Sequence, residues 1–166
     1  CVRRQLYING SDRIHLSKNP TYCGRVESLI ETFPDARFVV LYRNPYETIP
    51  SLLKLLNVGW KLQGNLSKER VRESNEVMTG LSYETYLHPR EVLARHPETR
   101  HAMIDYRRLT TDPKGTIEDV YRDLGLDITP AYAAFLEAEA ARTRRHETEH
   151  RYSLAEFGLD DQEIRV

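Results

Sequence analysis

The sequence is poor in the residues that cross-link or anchor a chain. Of its 166 residues two are cysteine, Cys1 and Cys23. That is too few for a disulfide framework and too few for a zinc site built on cysteine alone. No apolar run in it approaches the roughly 18 residues that a membrane-spanning helix needs. An excess of one charge sign is missing too: 24 Lys and Arg stand against 25 Asp and Glu, a net charge of -1. Mixed, balanced charge gives no general attraction to nucleic acid or to an acidic membrane. There is no internal repeat, no low-complexity stretch and no linker that would divide the chain. The opening Cys1-Val2-Arg3-Arg4-Gln5 has no initiator Met and no signal-peptide pattern. The reading is the C-terminal part of a longer protein, with the cytoplasm as its default compartment.

What is present is a globular composition, 40% apolar and 30% charged, long enough for one domain with a real core. The expectation is a single partial domain over 1–166. Residues 3–9 read as the end of a helix. Arg13 to Ser17 alternates apolar and polar residues and reads as a short strand ended by Pro20. Val26, Leu29, Ile30 and Phe33 follow helical spacing, and Pro34-Asp35 breaks that helix. Phe38-Val39-Val40-Leu41-Tyr42 is a continuous β-prone run, of the kind buried in parallel sheets. Pro45 suits the first position of a helix carrying Ile49, Leu52, Leu53, Leu55 and Leu56. Residues 61–97 read as one or two surface helices, His101 to Tyr106 as another strand, and 116–124 as a helix capped by Gly125. A last helix runs from Pro130 to about Arg145. This alternation of strand and helix is the α/β rhythm.

The most informative segment joins the central strand to the helix after it. The strand delivers Arg43 to its carboxyl edge, where open α/β sheets bind ligands. The helix starting at Pro45 directs its positive end, and the backbone N–H groups of its first turn, at the same crevice. Ser51 lies early in that helix and adds a hydroxyl. An Arg fork, a helix start and a serine together make a phosphate site. The alternative is that Arg43 pairs with a carboxylate such as Glu47 and that Ser51 is an ordinary helix residue.

Several blocks in order carry a family resemblance. They are Lys18-Asn19-Pro20, Phe33-Pro34-Asp35-Ala36-Arg37-Phe38, and Arg43-Asn44-Pro45 with Ser51 eight residues after the arginine. Downstream come Ile104-Asp105-Tyr106-Arg107-Arg108-Leu109 with Asp112-Pro113, then Leu124-Gly125-Leu126, then His150-Arg151-Tyr152-Ser153-Leu154 with Phe157-Gly158-Leu159. The chain resembles the sulfotransferases that use 3′-phosphoadenosine-5′-phosphosulfate (PAPS), in their bacterial-type branch. The resemblance implies a P-loop-like, three-layer parallel sheet with helices on both faces, its N-terminal part missing. It implies sulfuryl transfer from PAPS to a hydroxyl or amine, with 3′,5′-ADP as product. The acceptor is a small molecule, a glycan or a lipid. Arg43 and Ser51 match residues that hold the 3′-phosphate, and Tyr106 matches a tyrosine placed against the adenine. Arg151 and Tyr152 match a loop that closes over the nucleotide. Lys18 matches a lysine beside the transferred group, where fixed positive charge serves the transition state by analogy with phosphoryl transfer. The stretch around Tyr106, with Asp112-Pro113, resembles the family's Tyr-Glu-Asp-Leu followed by Asp-Pro.

One part of the family pattern has no counterpart here. The Gly/Ser/Thr-rich loop for the 5′-phosphosulfate and the usual His or Glu base precede the Lys18 element. Residues 1–17 do not fit them, and no G-x-x-x-x-G-K-[ST] occurs. His15 reads as a structural strand residue. A competing motif, His146-Glu147-Thr148-Glu149-His150, has the spacing of a zinc peptidase helix. Its charged flanks, Arg144, Arg145 and Arg151, are unlike a buried zincin helix, and no metal is expected. A non-catalytic nucleotide-binding remnant is the other alternative. Tyr7, Tyr22, Tyr83 and Tyr86 are candidates for lining an acceptor cavity, and Cys23 reads as a small buried apolar residue.

Overall fold

The computed structural model describes residues 2–10, 14–64 and 67–143. Helix α1 spans Val2–Asn9, and a 3-10 turn runs over Pro20–Arg25. Then follow α2 (Val26–Thr32), β1 (Phe38–Tyr42), α3 (Pro45–Gln63), α4 (Lys68–Arg95), β2 (His101–Asp105), α5 (Tyr106–Thr111), α6 (Pro113–Leu124) and α7 (Pro130–Thr143).

The strand expected before Pro20 does not form. Residues 14–19 have no regular structure, and Ile14 and Leu16 are 79% and 91% exposed. Alternation marks a strand only where a neighbour takes up its backbone groups and a core takes up its apolar side; the described residues supply neither. The stretch read as one or two helices is a single 28-residue helix, α4, with Pro89 inside it. Pro89 is fully buried, so packing holds the helix where proline removes one backbone donor.

β1 and β2 pair in parallel, Phe38 opposite His101 through Tyr42 opposite Asp105. Strand alternation therefore puts Phe38, Val40, Tyr42, His101, Met103 and Asp105 on one face, and Val39, Leu41, Ala102 and Ile104 on the other. On the first face, Phe38 and Val40 pack on Val26 and Ile30 of α2 and Val92 and Leu93 of α4. On the second, Ala102 and Ile104 pack on Val120 and Leu124 of α6. Val92 and Leu93 are 0% exposed, and burial of each stabilises the fold by about 1.5–3 kcal/mol.

Helices thus lie on both faces of a small parallel sheet, as an α/β chain requires. The cover is staggered, however. α2 and α4 roof β1 on one side and α6 roofs β2 on the other. The opposite quarters stay open, with Val39 and Leu41 each 51% exposed and Met103 43%. The described residues form two strands, so they do not themselves build the wider three-layer sheet. Among them, no helix is long and apolar enough to cross a membrane.

Candidate functional site

The carboxyl ends of β1 and β2 lie side by side, and each chain turns directly into a helix there. Asn44 makes the first turn. Its side-chain Oδ1 accepts the N–H of Tyr46 at 3.0 Å, and its carbonyl accepts the N–H groups of Glu47 and Thr48, each at 3.0 Å. Pro45 has no N–H to give. The start of α3 is therefore capped by its own asparagine, and its first-turn N–H groups are not free for a ligand. This corrects the expectation that they would cradle a phosphate. The helix dipole remains, but any anion here must be held mainly by side chains.

Arg43 is the first of these. Its Nε donates to Glu47 Oε2 at 3.1 Å, one helical turn on. The guanidinium carbon also sits 4.8 Å from the centroid of the Tyr106 ring. Tyr106 follows β2 as Arg43 follows β1, so the parallel register brings the two together. Both readings of Arg43 thus have support. It does pair with Glu47, yet only through Nε, which leaves its two terminal nitrogens without a partner among the described residues. A half-exposed pair of this kind contributes little to stability.

A cavity of about 320 Å³ opens at this edge, lined by Tyr42, Arg43, Asn44, Tyr86, Met103, Ile104, Asp105 and Arg107. Its position follows from the staggered helix cover. Tyr42, Met103 and Asp105 share the face that α4 roofs over β1 but leaves open over β2, and Tyr86 is the α4 residue at the margin. The Tyr42 and Tyr86 rings meet edge to face, centroids 5.0 Å apart, a favoured aromatic geometry. The Tyr42 hydroxyl is buried and has no hydrogen-bond partner among the described residues. Burial, and then the neighbouring Tyr86, push its pKa above the usual phenol value. Burial also pushes up the Cys23 thiol. Asp105 is committed locally, its Oδ1 accepting the Arg107 N–H at 2.8 Å.

The expected site residues are only partly brought together. Arg43 and Tyr106 meet, and Arg43 lines the cavity. Ser51 is half-buried in α3, and Lys18 is exposed just before the 3-10 turn; neither lines the cavity. Arg151, Tyr152 and the 146–150 motif lie outside the described residues. Among those described, no group of three His, Cys, Asp or Glu is placed to hold a metal. Of the tyrosines proposed for an acceptor cavity, Tyr86 lines this one, whereas Tyr7 is 90% and Tyr83 38% exposed. The sequence reading missed Tyr42 and Arg107 as site residues. Strand alternation could have placed Tyr42 on the same face as Asp105, but the open quarter that makes a cavity there is a packing outcome.

Residues 2–130 match the family described as the sulfotransferase family. Two curated relatives share 28% identity with this chain over 123 residues. Both are named omega-hydroxy-beta-dihydromenaquinone-9 sulfotransferase Stf3, one from Mycobacterium bovis (strain ATCC BAA-935 / AF2122/97) and one from Mycobacterium tuberculosis (strain CDC 1551 / Oshkosh). The match covers 74% of this chain but 31% of each relative, so the chain spans about a third of their length. No solved structure matches.

Proposed function

The chain belongs to the sulfotransferase family, and from that premise we propose that it forms part of a PAPS-dependent sulfotransferase and binds the 3′-phosphate end of the nucleotide. The observation that carries this reading is Arg43. It stands at the carboxyl end of a parallel strand, is stacked over Tyr106, is held by Glu47 through one nitrogen only, and lines a cavity. The cavity volume falls within the usual range for small-molecule sites. Apolar and aromatic walls, two arginines and an orphaned Tyr42 hydroxyl fit a ring system bearing an anion.

When bound, PAPS supplies a sulfuryl group whose bond to the 5′-phosphate oxygen breaks as a bond to the acceptor oxygen or nitrogen forms, releasing 3′,5′-ADP. The chain's own part is binding and charge. Arg43 presents two terminal N–H donors to a 3′-phosphate, and Tyr106 fixes the plane of that fork. Ser51 adds a hydroxyl, and Arg151 with Tyr152 covers the nucleotide. Lys18 offers positive charge to the oxygens that gain negative charge during transfer. The 5′-phosphosulfate loop and the acceptor base are assigned to sequence beyond these 166 residues, a reading supported by the match covering 31% of the relatives' length. In this reading 1–166 is one part of a P-loop-like three-layer domain, and alone it binds 3′,5′-ADP without turning over PAPS. The acceptor class is a hydroxylated lipid, by analogy with the quinone derivative in the relatives' name.

Equilibrium dialysis tests the reading. Arg43→Ala should weaken 3′,5′-ADP about 10- to 100-fold, the equivalent of one charge-assisted contact, and leave 5′-AMP nearly unchanged. Equal weakening of both nucleotides, or of neither, overturns it.

A further inference from the structure

Arg107 is the cavity's other cation and is differently placed from Arg43. Arg43 has Glu47 against its Nε and the face of Tyr106 beneath it. The next arginine along, Arg108, pairs with Asp119. Arg107 lines the cavity, and among the described residues no carboxylate lies within ion-pair distance of its guanidinium. Its backbone N–H is used by Asp105, which fixes the first turn of α5 and hence where the side chain departs. The N–H groups at the start of α3 are occupied by Asn44. Asp105 at the cavity wall is the only acid among the described lining residues. The free positive charge of this cavity therefore rests on the terminal nitrogens of Arg43 and on Arg107.

An arginine at this point of the wall supplies a planar fork that matches the oxygens of a phosphate.

Resting on the proposed nucleotide site, we infer that Arg107 is a second binding arginine of that site, closing with Arg43 on the 3′-phosphate from the β2 side. The anion is then held between two forks carried by adjacent parallel strand ends. This makes the chain selective for a 3′-phosphorylated nucleotide over one that lacks the 3′-phosphate.

The test uses the whole 166-residue chain, with 3′,5′-ADP and 5′-AMP as probes in equilibrium dialysis at low and at physiological salt. Arg107→Gln should weaken 3′,5′-ADP about tenfold and 5′-AMP by less than twofold. Arg107→Glu should weaken 3′,5′-ADP further, and Arg107→Lys should restore part of the loss. The salt dependence of 3′,5′-ADP binding should become shallower in Arg107→Gln, because one screened attraction is gone. Circular dichroism melting should show all three variants folded, since the side chain is exposed and makes no ion pair. If Arg43→Ala weakens 3′,5′-ADP while Arg107→Gln does not, the inference fails and the nucleotide reading stands. If Arg107→Gln weakens both nucleotides equally, the arginine acts elsewhere on the ligand and the inference fails. If neither variant changes 3′,5′-ADP binding, or the unsubstituted chain does not bind it, both fall.

Discussion

Arg43 and Tyr106 meet because two parallel strands end in register: each is the residue that follows a Tyr42–Asp105 pair, and the guanidinium carbon lies 4.8 Å from the ring centroid. Stacking on an aromatic face orders a side chain that otherwise has several rotamers. A cation over an exposed ring contributes about 0.5–1 kcal/mol. Tyr106→Leu should therefore lower 3′,5′-ADP affinity by about two- to fivefold, whereas Tyr106→Phe keeps the ring and should keep the affinity. Titration calorimetry on the two variants checks this. A loss in Tyr106→Phe equal to that in Tyr106→Leu shifts the role of Tyr106 from its ring to its hydroxyl.

Tyr42→Phe separates fold from ligand. Its hydroxyl is buried without a partner among the described residues, and a buried unsatisfied group costs about 1–3 kcal/mol. The phenylalanine variant should melt no lower than the parent chain, and about 1 kcal/mol of added stability is the expected scale. The pH dependence follows from the raised pKa. A phenol that stays protonated in the folded chain, but ionises at its ordinary pKa when unfolded, stabilises fully below that ordinary value. Its contribution is lost as pH rises toward the folded value. Cys23, also raised by burial, acts with the same sign, starting at the ordinary thiol value. Urea titrations from pH 7 to 11 should show stability falling on the alkaline side, with a smaller fall in Tyr42→Phe. An unchanged alkaline slope in that variant removes Tyr42 from the account.

Much of this was legible in the sequence, for identifiable reasons. The run 38–42 has nothing but β-prone apolar residues between Arg37 and Arg43, and Asn44-Pro45 is both a helix cap and a helix start, so β1 and α3 could be read from local chemistry. The capping consequence was missed: the same Asn44 that starts α3 occupies its first free N–H groups. The strand proposed at 13–17 failed because alternation does not supply a pairing partner. The cavity could not be read at all. It arises from which helix covers which half of the sheet, and that depends on contacts between residues as distant as Val40 and Val92.

Gly125 tests how α6 is held against β2. It closes α6 with φ of 62° and ψ of 45°, the left-handed conformation that glycine adopts without strain. A Cβ there would also collide with an Arg100 guanidinium nitrogen, and that nitrogen donates to the Leu124 carbonyl at 3.2 Å. Gly125→Ala therefore meets both a backbone penalty and a displaced arginine cap. A loss of about 1–2 kcal/mol is expected, read by denaturant unfolding. Gly59→Ala is the contrast. Among the described residues, no atom outside its own helix backbone and chain neighbours lies within 4 Å of a Cβ at that position, so it should hold or raise stability by a few tenths of a kcal/mol up to about 1. Equal effects at the two glycines would contradict the assignment of the cost at Gly125 to its conformation and its neighbour.

Lys18 tests the division between binding and transfer. It is exposed, precedes the Asn19 cap of the 3-10 turn and does not line the cavity of Arg43. A cation that only helped hold the nucleotide would lower affinity and turnover together. One acting on charge that develops during transfer lowers turnover and spares affinity. In the proposed reading the rest of the donor site lies upstream of Cys1, so turnover is measured on a chain extended in that direction. There Lys18→Ala should reduce kcat by about 10²–10³, the scale for removing one donor to a developing charge, while 3′,5′-ADP affinity changes by less than threefold. The 166-residue chain assayed beside it should give no PAPS turnover, because positioning of the reacting group accounts for much of the rate in such transfers. Robust turnover by the shorter chain would place a working phosphosulfate loop within residues 1–166. An active longer chain indifferent to Lys18→Ala would make that lysine an ordinary surface cation and leave the charge at the transferred group to another residue.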